Sequence, residues 1–479
     1  MQLLFSRNIF STHLPGWQAV FKPEKWRKNM RKFKKFAATM LVGLMATTAL
    51  AGCSKSNNAA SGNTDGKEGS VLNIYVWNEE FKSRVTDHYP GYVKTDDSTG
   101  KIGDVTVKWH TTPNENNAYQ NNLDEALLKQ KDAAADDKID IFLVEADYAL
   151  KYVDTDYTMP IKDLGITDSE IADQYKYTQD IVTDSKGVLK GLSWQGCPGV
   201  LIYNRDIAKE VLGTDDPAEV QKSVSDWSTF EKTAKTMKDS GYFMVSGFDD
   251  TFRVFSNNVS SPWVVDGKVV IDDNIMNWVS QTKTFTDNGY NNQSSLWDDN
   301  WSKGFYPEGK VFCYFGPAWF VDFSMNVSDA ASIAANGGWA ATEGPQGFFW
   351  GGTWICAAQG TDNTTLVADI MRQLTTNKDV MTEIVKKDND FVNNKPAMET
   401  MAADTSYQSK VLGGQNPLAM FCAGADKIDL SNLSSYDQGC NEEFQKAMKD
   451  YFTGNATLDE ALATFKKNIV VKYPNLKAE

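Results

Sequence analysis

Apolar runs recur along the chain from residue 71, and their lengths and spacing predict its elements. Val71-Leu72-Asn73-Ile74-Tyr75-Val76-Trp77 is short, β-branched and aromatic, which predicts a strand. It stops at Asn78-Glu79-Glu80, where a helix is expected to begin. Residues 105–109 predict a second strand, and 117–132 carry Leu123, Leu127 and Leu128 at helical spacing. Ile139-Asp140-Ile141-Phe142-Leu143-Val144 predicts a third strand, broken at Glu145-Ala146-Asp147-Tyr148. Strands alternating with helices imply an α/β body with a parallel or mixed sheet covered on both faces. Such sheets collect ligands beyond the carboxyl ends of their strands. That rule singles out Trp77, Asn78, Glu79, Glu145 and Asp147.

The pattern then changes. One long apolar run over residues 191–205 is interrupted by Gly196, Pro198 and Gly199, as suits a chain passing from one lobe to another. Asp226 or Ser228 is expected to cap a helix. Residues 310–315 predict a strand running into Gly316-Pro317-Ala318-Trp319, and 344–358 repeat the same mixture of strand, glycines and aromatics. Residues 365–375 predict a helix. The tail, 441–470, predicts helices broken at 453–456, with Thr457 capping the last.

The amino-terminal part follows another grammar. Met30-Arg31-Lys32-Phe33-Lys34-Lys35 is basic, and the fifteen residues from Phe36 to Leu50 carry no charge. That run is short for a membrane span, which needs roughly 20 apolar residues, and reads as an export signal. Leu50-Ala51-Gly52-Cys53 resembles a bacterial lipobox, which implies diacylglycerol on Cys53 and a protein tethered outside the cytoplasm. Met30 is the expected translation start, and two acyl chains give stable anchoring. Residues 1–52 form the leader, and 53–70 read as a flexible tether with a reach of about 20–25 Å.

Charge and composition narrow the partners. The whole chain carries −15, and removal of the basic leader leaves −23 from Cys53 onward. So acidic a surface repels nucleic acid and anionic head groups. The cysteines show no C-x-x-C spacing, and histidine occurs three times, so neither a metal site nor a cofactor is expected. Cys422 and Cys440 are the only local pair that a disulfide would join. Twelve of the 14 tryptophans follow Cys53, an excess that suggests flat faces for stacking on a ligand.

From about residue 71 to the end, the chain resembles the extracellular solute-binding proteins of ABC importers, in the sugar-binding, maltodextrin-binding-protein-like group. The marks are Asp140-Ile141-Phe142-Leu143 before an acidic loop, Leu201-Ile202-Tyr203-Asn204-Arg205-Asp206, and Gly309-Lys310 before a strand ending Gly316-Pro317. Gly351-Gly352 and Gly454-Asn455-Ala456-Thr457-Leu458-Asp459-Glu460 complete them. The resemblance implies two α/β lobes, each a mixed sheet flanked by helices, with a ligand cleft between them. It implies a first lobe of 71–195 with 355–395 and a second of 199–350 with 400–479, the chain crossing near 194–199, 350–355 and 393–400. It also implies a monomer that hands a sugar to membrane permease subunits. Cys197 stands where the group carries an acid in its first hinge, and Trp319 is displaced by one position.

A sugar presents C–H faces to aromatic rings and hydroxyls to carboxylates and amides. Trp194, Trp319, Trp350 and Trp354 are therefore the stacking candidates, and core packing is the competing role for each. Trp77, Asn78, Glu79, Glu145 and Asp147 are the polar and aromatic candidates of the first lobe, with helix capping as the competing role. Tyr436 and Asp437 precede the tail helices, where the resemblance implies further contacts. The alternatives are a polyamine, peptide or metal chelate held in the same fold, or a surface glycosidase working through paired carboxylates such as Glu79 and Glu145.

Overall fold

The computed structural model describes residues 69–478; the leader, Cys53 and the tether through residue 68 lie outside them. The first sheet has seven strands in the order β2-β3-β4-β1-β5-β15-β6. These are β1 (Val71–Val76), β2 (Tyr92–Lys94), β3 (Thr99–Ile102), β4 (Val105–Thr111), β5 (Ile141–Glu145), β6 (Leu192–Ser193) and β15 (Thr353–Ala357). Its centre is parallel, β1 lying between β4 and β5, and its flanks are antiparallel. Burial on both faces explains the nearly continuous apolar reading of β1 and β5.

The second sheet is built on β7 (Pro198–Asn204), whose seven residues are all buried. Next in the chain come β8 (Val245–Gly247), a separate hairpin of β9 (Val264–Val265) and β10 (Lys268–Val269), and β11 (Asn291–Ser294). They are followed by β12 (Cys313–Gly316), β13 (Trp339–Thr342) and β14 (Phe348–Phe349). β12, β13 and β14 pair antiparallel with β7. β8 pairs parallel with β11, and it borders β12 through Phe312 N–H to Phe243 O (2.8 Å) and Cys313 N–H to Met244 O (3.0 Å). This sheet too is mixed.

Local chemistry sets the helix boundaries. Asn204 ends β7 and caps the helix Arg205–Leu212 by accepting from the N–H groups of Asp206 and Ile207. Asp226 caps Trp227–Asp239. Thr457 and Glu460 form a reciprocal capping box at the start of Leu458–Lys472. That helix packs with Asp437–Phe452 and Asp273–Asp287 around Trp278, Phe444 and Phe465 in a core of its own.

The chain leaves the first sheet after β6 and enters the second at β7, and it returns between β14 and β15. Gly351 and Gly352 make that return with φ of +71° and +100°. A Cβ on Gly352 would stand 3.0 Å from Cys197 Sγ and 3.1 Å from the Trp354 ring, so the turn excludes larger residues. Cys197, itself at φ +55°, is buried. The Cys422–Cys440 pairing that the sequence left open does not form. Both are free thiols, Cys440 being buried within the tail-helix core and Cys422 on the helix Leu418–Ala425 beside Tyr175.

Candidate functional site

The carboxyl end of β5 supplies one wall of the site. The strand ends at Glu145, whose carboxylate accepts from the N–H of Asp147 (2.9 Å) and holds the 3₁₀ turn Ala146–Tyr148. Asp147 therefore projects from the end of the first sheet. It meets Arg253, carried by the short helix Phe252–Ser256 of the other side. Arg253 donates two parallel bonds, Nη1 to Oδ1 at 2.6 Å and Nη2 to Oδ2. The first turn of Asp437–Phe452 closes against the same 3₁₀ turn, and Asn117 and Gln438 meet at 3.4 Å.

Burial dominates the electrostatics here. It pushes the Glu145 carboxyl up to about 8, aided by the charge of Asp147 and opposed by Arg253. Asp437 is raised to about 6, again by burial, against the lowering effect of its bonds from Ser434. Asp147, Arg253, Trp263, Asp437 and Asn441 line one cavity at this point. A second, sharing Arg253, is lined by Asp249, Asp250, Trp301, Trp350 and Gln445. Asp250 accepts from the Trp301 indole at 2.6 Å, and its carboxyl is raised to about 6 by burial.

Three indoles gather beside that second cavity. Trp350 lies edge-to-face with Trp319 at 5.1 Å and tilted against Trp297 at 5.8 Å. The Trp319 indole donates to the Trp350 carbonyl at 3.1 Å. Gly351 leaves room for this, since a Cβ there would come within 3.3 Å of the Trp319 ring. Trp297 is 55% exposed and holds φ +69°, a conformation that bulky residues rarely adopt. Backbone held in such a region concentrates at ligand sites.

The structure separates the residues singled out by sequence. Trp319, Trp350, Glu145, Asp147 and Asp437 come together around the two cavities. Trp77 is half-buried, edge-on to Tyr119 (5.4 Å) and Tyr148 (6.3 Å), next to Asp147. Asn78 accepts from Glu80 N–H (3.0 Å) just ahead of the following helix. Glu79 turns outward, 64% exposed, and pairs with Lys82 at 2.8 Å. Tyr436 packs edge-to-face on Tyr473 and accepts from Asn475.

Trp194 and Trp354 are corrected: both are 0% exposed and belong to the core. Trp194 stacks on Phe81, and the Trp354 indole donates to Thr178 O (2.8 Å), so neither presents a free face.

Two groups escaped the sequence reading. Trp297 sits in a polar loop with no periodicity. Glu80, one residue past Glu79, turns inward to the crossing segments. There Gln195 Nε2 donates to Glu80 Oε1 (2.7 Å) and to Asp390 Oδ2 (2.9 Å), and Gln195 Oε1 accepts from Thr353 N–H (3.1 Å). Arg84 pairs with Asp388 (3.0 Å) and Asp390 (3.4 Å). Burial raises the Glu80 carboxyl to about 7, against the pull of Arg84. Among the described residues no group of three or more His, Cys, Asp or Glu is placed to hold a metal ion, and no helix is long and apolar enough to cross a membrane.

Comparison with known proteins agrees with this architecture. Residues 93–412 match the family model for bacterial extracellular solute-binding proteins. No curated protein matches. Among solved structures, a protein described as extracellular solute-binding protein family 1 is 18% identical, with TM-score 0.66, over 83% of this chain and 99% of its own. The ABC transporter associated binding protein of B. animalis subsp. lactis, in complex with beta-1,6-galactobiose, is 18% identical with TM-score 0.62, over 86% and 100%. The galacto-N-biose-/lacto-N-biose I-binding protein of Bifidobacterium longum, in complex with lacto-N-biose, is 12% identical with TM-score 0.63, over 87% and 100%. At these identities the structures establish a shared two-lobe fold. The chain belongs to the family of bacterial extracellular solute-binding proteins.

Proposed function

We propose that the protein captures an extracellular sugar, an oligosaccharide, between two closing lobes and delivers it to the permease of an ABC importer. It works as a monomer, held at the outer face of the cytoplasmic membrane by lipid on Cys53. The first lobe comprises 71–195 with 355–395 and the second 199–350 with 400–479. One observation carries the reading: Trp297, Trp319 and Trp350 cluster beside Asp249, Asp250 and Gln445, with Glu145 and Asp147 at the facing sheet end. Indole faces suit the C–H faces of a pyranose, and carboxylates suit its hydroxyls. The neighbours bound to galactobiose and lacto-N-biose support a sugar as cargo. Moving the lobes from 1:99 to 99:1 closed needs about 5.5 kcal/mol of differential affinity, within reach of a few stacked rings and charge-assisted bonds.

Binding is the whole task, with no bond of the sugar broken. A thermal-shift screen against a glycan library tests the reading. Some neutral oligosaccharide raises Tm and is recovered intact. Stabilisation by a polyamine, a peptide or a metal chelate alone replaces sugar with that cargo, a reading favoured by the excess of carboxylates over the single Arg253 in the two cavities. Hydrolysis of the glycan replaces binding with catalysis.

A further inference from the structure

The two walls of the cleft make direct contact of their own. Asp147 stands at the end of a first-sheet strand and Arg253 on a helix of the other side, 106 residues apart, joined by two parallel hydrogen bonds. Their side chains are 20% and 23% exposed, so the pair is largely shielded from salt. Three crossing stretches hold the lobes at the hinge, where Gln195 ties Glu80, Thr353 and Asp390. The ion pair and the 3.4 Å contact of Asn117 with Gln438 join the two sides where the tail helix meets the end of β5, just beyond Glu145, which pairs in the sheet with Thr353 of that hinge. Opening about the hinge must part them.

We propose that Asp147 and Arg253 are positioning residues for lobe closure, forming a latch that favours the closed arrangement independently of contacts with the solute. The latch rests on the two-lobe closure proposed above, but not on sugar as the cargo. Arg253 faces Asp147, Glu145 and Asp437 together. Glu145 and Asp437 are employed elsewhere, Glu145 on the Asp147 N–H and Asp437 on Ser434. Asp147 alone gives Arg253 the fork-to-fork geometry that makes such a pair strong. Opening returns both groups to water, which recovers part of their hydration, so the pair shifts the closure equilibrium by about three- to tenfold rather than by orders of magnitude.

Small-angle scattering of the purified chain without added solute tests this. Arg253→Gln and Asp147→Asn each raise the radius of gyration, and the charge exchange D147R/R253D returns it toward the wild-type value. For a solute found by the thermal screen, each single variant weakens affinity about three- to tenfold and the exchange restores it. Unchanged scattering in both single variants overturns the latch. So does an exchange that fails to restore compactness, because the residues then act as something other than a charge pair. Circular dichroism identifies a variant that misfolds, and Asp147→Asn, nearly isosteric, then decides alone. If no glycan binds the wild type, the sugar reading falls while scattering still judges the latch.

Discussion

Glu80 offers a sharp test of the hinge chemistry. Its side chain is 19% exposed, and its carboxyl ionises at about 7 instead of 4.5 because burial disfavours the charge. The sign follows from linkage. An acid whose folded pKa is raised gives stability that is complete below its unfolded pKa and is lost as pH rises through the folded value. Full ionisation of Glu80 therefore costs about 3 kcal/mol, at 1.36 kcal/mol per tenfold change. Glu80→Gln removes that cost while keeping an oxygen to accept from Gln195 Nε2. Over roughly 400 described residues, at about 2 cal/mol/K each, 3 kcal/mol corresponds to about 3–4 °C in Tm. Calorimetry of both proteins from pH 4.5 to 8.5 reads the effect. The curves coincide near pH 4.5 and separate through pH 7, with the variant melting about 3–4 °C higher at pH 8.5. Glu145, Asp250 and Asp437 titrate in both proteins and cancel, so the difference reads Glu80 together with its effect on Asp390, the acid that shares Gln195 with it. Parallel curves across the range would refute the reasoning, because Glu80 would then ionise as freely in the folded chain as in the unfolded one.

Other substitutions separate binding from structure. Trp297→Ala removes a ring that is 55% exposed, so solute affinity should fall about tenfold by calorimetric titration while the solute-free Tm moves by less than about 1 °C. Trp354→Ala removes a fully buried indole and strands the Thr178 carbonyl; denaturant unfolding should show a loss of about 3–5 kcal/mol. A thiol reagent on the native soluble body without Cys53 should label Cys422 first, and labelling of Cys197, Cys313, Cys356 and Cys440 should wait for denaturant. A reductant should leave Tm unchanged, since no disulfide joins Cys422 to Cys440.

What the sequence made legible was local. β1, β5 and β7 announce themselves because burial on both faces demands continuous apolar runs, and the Thr457 cap because its geometry lies within four residues. Strand direction was not legible. β15 reads as a strand, yet its antiparallel pairing with β5 depends on residues about 210 positions away. The facing of aromatic rings was hidden for the same reason. Trp350 and Trp354 occupy one glycine-rich stretch, but register places Trp354 opposite Val144 and Ser193 in the core, while the Gly351-Gly352 turn leaves Trp350 half-buried beside Trp297.

The same distance effect explains Glu79 and Glu80. As neighbours they look interchangeable, and helix phase sends one to solvent and the other to Gln195 and Asp390, 115 residues and more away. Asp147 shows where the division matters for function. Its place at the end of a strand follows from the local break after Val144. Its employment follows from Arg253, a residue that only the folded chain brings to it. A group read from sequence as a ligand contact is thereby already engaged by the opposite wall. In the proposed cleft, a solute that leaves the Asp147–Arg253 pair intact binds beside it, and its affinity depends on the closure the pair favours as well as on stacking.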